Sequence, residues 1–151
     1  MASDREENAE AAEVLRAVMG EVGERPCPAV ALKVACEEAR VAGQAPGAAD
    51  DDERLWLDLA AETLIESGPL ELTSWLCTIS ALTLWGPGTL ADADALATYV
   101  AEAEGGDHAE LEAAFAPVVE RWLALGALNE TERLTPLGWW GLPEAQLLVW
   151  S

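Results

Sequence analysis

The stretch Leu123-Ala-Leu-Gly-Ala-Leu-Asn-Glu-Thr-Glu-Arg-Leu-Thr-Pro-Leu-Gly138 decides how the rest of the chain is read. Leu125-Gly126-Ala127 closes a helix, because glycine adopts the backbone conformation needed just past a helix end. Ala127-Leu128, Asn129 to Glu132, and Arg133-Leu134-Thr135 then read as strand, turn and strand. Thr135-Pro136 opens a last helical segment, since proline is tolerated in a first turn, and Pro143 is expected to divide it.

Working toward the N-terminus, Asp107 with Glu110 three residues on starts the helix that ends at Gly126. Leu111, Phe115, Val118, Trp122 and Leu125 form its apolar stripe, and Pro117 predicts a kink. Gly105-Gly106 is a tight turn. Before it, Ala91 to Ala103 reads as a short helix with Leu96, Tyr99 and Val100 inward, and Thr89-Leu90 as an extended piece. Leu72 to Trp85 carries Leu72, Leu76, Ile79 and Leu82 at helical spacing, although its threonines favour strands. A helix from about Asp51 to Ser67 carries Leu55, Trp56, Leu59 and Leu64 and stops at Gly68-Pro69.

The run Gly43 to Asp52 reads as a loop or linker. Two helices precede it. One opens on a Ser3/Glu6 capping box and carries Val14, Leu15, Val18 and Val22; the other starts near Pro28 and carries Val30, Val34 and Val41 on one side. The expected fold is mainly α: an N-terminal helical segment, 1–49, packs on a unit, 50–151, with a leading helix, a small β-hairpin and a C-terminal helical tail, or the two form one compact unit.

The 151 residues include 28 acidic and 8 basic side chains, a net charge of -20, yet 51% are hydrophobic. Such a chain folds rather than staying disordered. Its charge argues against ordinary nucleic-acid binding, because neutralising phosphates takes Lys and Arg. Halophily alone would also account for the acidity. Met1 to Asn8 lack the basic and apolar regions of a signal peptide, and Leu72 to Trp85 is too short to span a bilayer. Cys27, Cys36 and Cys77 have no CxxC spacing, so no disulfide framework is expected and a cytoplasmic setting is the simplest. A single lysine amid abundant alanine suits a high-GC bacterial genome.

From about Leu72 to Thr135 the order helix, short strand, helix, turn, longer helix, hairpin resembles a winged helix-turn-helix domain. The phrase Leu134-Thr-Pro-Leu-Gly138 is similar to the exit of many such domains, and Trp139-Trp-Gly-Leu-Pro143 to tails of uncharacterised actinobacterial proteins. The resemblance implies DNA binding through the third helix. The residues depart from that. Between Arg54 and Arg121 there are twelve carboxylates and no Lys or Arg, and the third helix begins Asp107-His-Ala-Glu-Leu-Glu112. Carboxylates at that point repel phosphates.

No nucleophile sits beside a base in the sequence; His108 is the only histidine and reads as a surface residue. No zinc spacing, calcium loop or phosphate loop is present, so neither an enzyme nor a cofactor is expected. The positive signal is tryptophan, seven in all. Trp75 and Trp122 read as core. Trp139 and Trp140 are adjacent, so they diverge by about 100° on a helix, and nothing after Glu144 is charged. Two readings follow: the tail packs back onto the N-terminal helices, or it meets another molecule. Partner binding is assigned to Trp139, Trp140, Leu147, Leu148 and Trp150, and an acidic face to Asp92, Asp94, Asp107, Glu110 and Glu112.

The expected role is a non-enzymatic interaction or regulatory module that binds another protein or itself, and neither DNA nor membrane. A DNA mimic, whose carboxylates imitate a phosphate array, and a small-molecule sensor with a Trp-lined pocket are the alternatives.

Overall fold

The computed structural model describes residues 4–43 and 51–151. Ser3 of the expected capping box and most of the expected linker lie outside the described residues. Within them the chain forms seven helices: α1 (Asp4–Val22), α2 (Ala29–Val41), α3 (Asp52–Ala61), α4 (Leu72–Trp85), α5 (Ala93–Glu104), α6 (His108–Ala124) and α7 (Pro136–Val149).

The middle of the fold is α4, which carries no charged residue and packs against α1, α5 and α7. Its buried Thr78 and Thr83 donate their hydroxyls one turn back, to the Ser74 and Ile79 carbonyls at 2.8 and 2.7 Å. That bond satisfies each hydroxyl inside the helix, so residues with strand propensity are accommodated there. On α6 the stripe Leu111, Phe115, Val118, Trp122 and Leu125 is buried throughout. Trp75 of α4 meets Phe115 edge-on with centroids 5.8 Å apart, an arrangement the ring quadrupoles favour. Both halves of the sequence feed one core: Leu15, Leu32, Trp56 and Phe115 belong to the same buried cluster.

The helix ending that the sequence announces is present in detail. Gly126 takes φ 75, and the Gly126 and Ala127 amides donate to Leu123 and Trp122 carbonyls at 3.1 and 2.9 Å. This pair of bonds is the glycine-dependent Schellman closure. Nine residues on, Thr135 caps α7: its Oγ1 accepts from Gly138 N at 3.1 Å and donates to the Gly126 carbonyl at 2.6 Å. Gly138 lies so close that a Cβ there would meet the Ala127 carbonyl.

Between those two ends the expected β-hairpin is not built. Among the described residues there are no strands, only isolated bridges that include Leu128 with Leu134 and Leu90 with Arg133. The arms are two or three residues long. Asn129 Oδ1 curls the segment by accepting from Thr131 N and Arg133 N at 3.0 and 3.1 Å, and Glu132 stands at φ 59. Pro136 has no amide to extend a ladder.

Other expectations are corrected in detail. The helix from Asp51 ends at Ala61 rather than Ser67. The Thr63 hydroxyl takes the Ala60 carbonyl at 2.6 Å, a local bond that competes with helix continuation. The valine side of α2 is not its core side. Val30, Val34 and Val41 are exposed, while Leu32, Ala35, Cys36 and Ala39 pack inward.

Pro143 does not divide α7, which runs through it unbroken. A proline at 143 removes the amide that would bond the Trp139 carbonyl. Arg25, in the connector between α1 and α2, supplies the missing donor: its Nη1 lies 2.8 Å from Trp139 O and 2.9 Å from Trp140 O. Its Nη2 pairs with Glu144 at 3.1 Å. On α6 the helix likewise runs through Pro117, where both Pro117 and Ala113 are exposed, so water can serve the freed carbonyl.

Candidate interaction surface

The apolar C-terminal tail turns inward. Helix α7 packs against α3, α4 and α1, and Trp140 and Trp150 are buried. The divergence of the adjacent tryptophans is used rather than wasted. Trp139 points to α4 and donates its indole N–H to the Thr83 carbonyl at 2.9 Å; Trp140 packs on Trp56 of α3 with centroids 6.1 Å apart. Trp140 and Trp150 are therefore core side chains and not free contact residues. Of the two readings of the tail, packing back accounts for Trp140 and Trp150, while Trp139, Leu147 and Leu148 retain part of their surface.

The acidic set assembles around the starts of α5 and α6. Asp92 caps α5 by accepting from Ala95 N at 2.7 Å, and Asp107 caps α6 by accepting from Ala109 N at 2.8 Å. Carboxylates there complement the positive helix end. Asp94 and His108 are brought together at 3.0 Å. Glu110 and Glu112 are exposed, and Glu110 and Asp107 share a cleft with Glu71 and Glu104. Two of the five carboxylates thus hold helix ends, and the others face solvent.

A second acidic surface was not singled out in the sequence. Between α1 and α4 runs a groove of about 490 Å³ whose floor is Ala11, Val14, Leu72 and Leu76 and whose rim is Glu7, Glu10, Glu66 and Glu71. Among the described residues no basic side chain lines it. Val14 remains 49% exposed, which leaves an apolar contact point in the floor. Glu66 and Glu71 are held in place: Glu66 Oε1 accepts from Leu72 N at 2.9 Å, and Glu71 forms a capping box with Ser74 at the start of α4. The signal that could have found the groove was the half-polar setting of Val14 among the glutamates of α1.

Trp75 and Trp122 fill the core; the indole of Trp122 donates to Thr63 Oγ1 at 2.8 Å and that of Trp75 to the Ile65 carbonyl at 3.3 Å. Trp75 also reaches the wall of an open cleft toward Pro117 and Arg121. Trp85 is 56% exposed and stacks edge-on against Tyr99 at 4.8 Å. The three cysteines are free thiols. Burial first, and then the Asp52 carboxylate, push the Cys36 thiol up to about 11. Burial first also raises Cys27 and Cys77, with Glu53 and Glu104 adding to it respectively. Among the described residues no three His, Cys, Asp or Glu side chains converge as a metal site, and no helix is long and apolar enough to cross a membrane. Comparison with protein-family models, with curated proteins and with solved structures returned no match.

Proposed function

We propose that this chain is a non-enzymatic interaction module, built on a winged-helix-like arrangement without a DNA-binding face, that receives a basic, apolar-faced segment of another protein in the α1–α4 groove. The observation that carries the reading is the groove itself. It is an apolar floor ringed by four carboxylates, and charge complementarity of that kind steers and selects a cationic partner. The winged-helix-like part draws support from the bridge order. Residues 133–134 join Leu90 on one side and Leu128 on the other, after three helices α4, α5 and α6. The acids at the start of α6 support the absence of a DNA-reading face, since they would oppose phosphate.

The test is affinity capture from lysate of the source cells, with the native chain and a Glu10→Lys/Val14→Lys variant as baits. Both positions are exposed, so the variant keeps its fold. The expected result is a basic partner held at about 0.05 M salt, released near about 0.5 M salt as screening grows, and lost from the variant. Capture of nothing, or equal capture by both baits, would overturn the reading.

A further inference from the structure

We infer that the outward face of α2 is a self-association surface that receives α2 of a second copy of this chain. Val30, Val34 and Val41 are 80%, 50% and 88% exposed. At about 100° per residue they fall within an arc of roughly 40°, diametrically opposite the Leu32, Ala35, Cys36 and Ala39 face that packs inward. Single exposed valines are ordinary; three on one arc of one helix form an apolar stripe, flanked between Val34 and Val41 by Glu37 and Glu38.

Charge selects the occupant. Lys33 and Arg40 of α2 offset Glu37 and Glu38. Helices α1, α3, α5, α6 and α7 each carry more acids than bases. In a chain of net charge -20, α2 is thus the charge-bearing helix on which two copies meet without a surplus of like charge. Lys33, the chain's single lysine, has no ion-pair partner among the described residues. It lies one turn from Glu37 on the same flank of the stripe, and antiparallel helices set equal flanks against each other. An antiparallel crossing therefore lays Val30 of one copy toward Val41 of the second copy. It also sets Lys33 against Glu37 of the second copy, twice by two-fold symmetry.

The helix has 13 residues. That is a length of about 20 Å, which cannot reach the roughly 800 Å² per partner of a standard interface, so the dimer is weak. Its salt dependence has the opposite sign to binding of a basic partner in the α1–α4 groove. Screening removes the repulsion between two bodies of charge -20, so added salt strengthens self-association.

Sedimentation equilibrium on the purified chain, from about 10 µM to about 1 mM and at about 0.05 and 0.5 M NaCl, tests this. The expected result is a monomer–dimer equilibrium that tightens with salt. Val34→Asp, at an exposed site, is expected to weaken it at least about tenfold while helix content and Tm stay unchanged. Lys33→Glu is expected to weaken it and Lys33→Glu/Glu37→Lys to restore it. A monomer throughout, a dimer indifferent to Val34→Asp, or a charge swap that restores nothing would overturn the inference. So would a pure chain that stays monomeric while a different protein binds in a Val34-dependent way.

Discussion

Arg25 Nη1 stands 2.8 Å from Trp139 O, the carbonyl from which Pro143 withholds a helical partner. A side chain from the N-terminal connector thus completes the hydrogen bonding of the last helix. Arg25→Met is expected to cost about 1–3 kcal/mol, because it leaves the part-buried Trp139 and Trp140 carbonyls and Glu144 without their donor. In a Pro143→Ala background the same change should cost less, since an alanine at 143 restores the amide to Trp139 O. Urea unfolding of the four chains measures the coupling; strict additivity would refute the link.

Glycines of α7 and α1 should respond with opposite signs to the same substitution. A Cβ at Gly141 would press on Trp56 Cζ3 and lie 2.8 Å from its Cη2, and at Gly138 it would lie 2.9 Å from Leu134 Cδ1. Alanine at either position is expected to destabilise by about 1–3 kcal/mol. Gly20, inside α1 with nothing within 4 Å of its added Cβ, should gain about 0.5–1 kcal/mol from alanine. Thermal melts of the three variants decide it.

Gln146 is fully buried, and neither its Oε1 nor its Nε2 has a hydrogen-bond partner among the described residues. Replacing a buried amide in that state by an apolar side chain of like length removes a desolvation cost. Gln146→Met is expected to leave stability unchanged or to raise it by up to about 2 kcal/mol. A clear loss in chemical denaturation would show that the amide has a partner in solution.

Alkaline stability follows the thiols. Cys36, 1% exposed, is held protonated to about 11 against 9.0 for a free thiol, and Cys27 and Cys77 are raised in the same direction. The native state therefore binds these protons more tightly than the unfolded chain. The contribution is complete below pH 9.0 and is lost as pH rises toward 11. Unfolding midpoints should fall across that window, and Cys36→Ala should flatten the decline. At pH 8 Cys36 should resist thiol reagents until the chain is denatured.

Much of the fold was legible where periodicity and stop signals agree. The 72–85 segment is α4 to the residue, and the stripe from Leu111 to Leu125 is buried as expected. Where the reading failed, two apolar arcs competed. On α2 the valines outnumber the larger inward residues, yet small side chains such as Ala35 and Ala39 are what let α2 settle against α3. On α7 the sequence left two readings open, packing back or a free face, because its neighbours, α3 and α4, are distant in sequence. Of the candidate surfaces, the carboxylates at the α5 and α6 starts could be named in advance. The α1–α4 groove was signalled on one wall alone, by Val14 among the glutamates of α1; its other wall is set only once residues 66–76 lie beside residues 7–14.

The contacts of Arg25 with α7 close loops of 114 to 119 residues. Loop-closure entropy opposes such pairings until the intervening chain is ordered, so this one belongs to the late side of the folding barrier. Arg25 is then expected to have a φ-value near zero: its loss speeds unfolding and barely slows folding. The lifetime of the native state, more than the speed of reaching it, is therefore set by a guanidinium standing in for one missing amide.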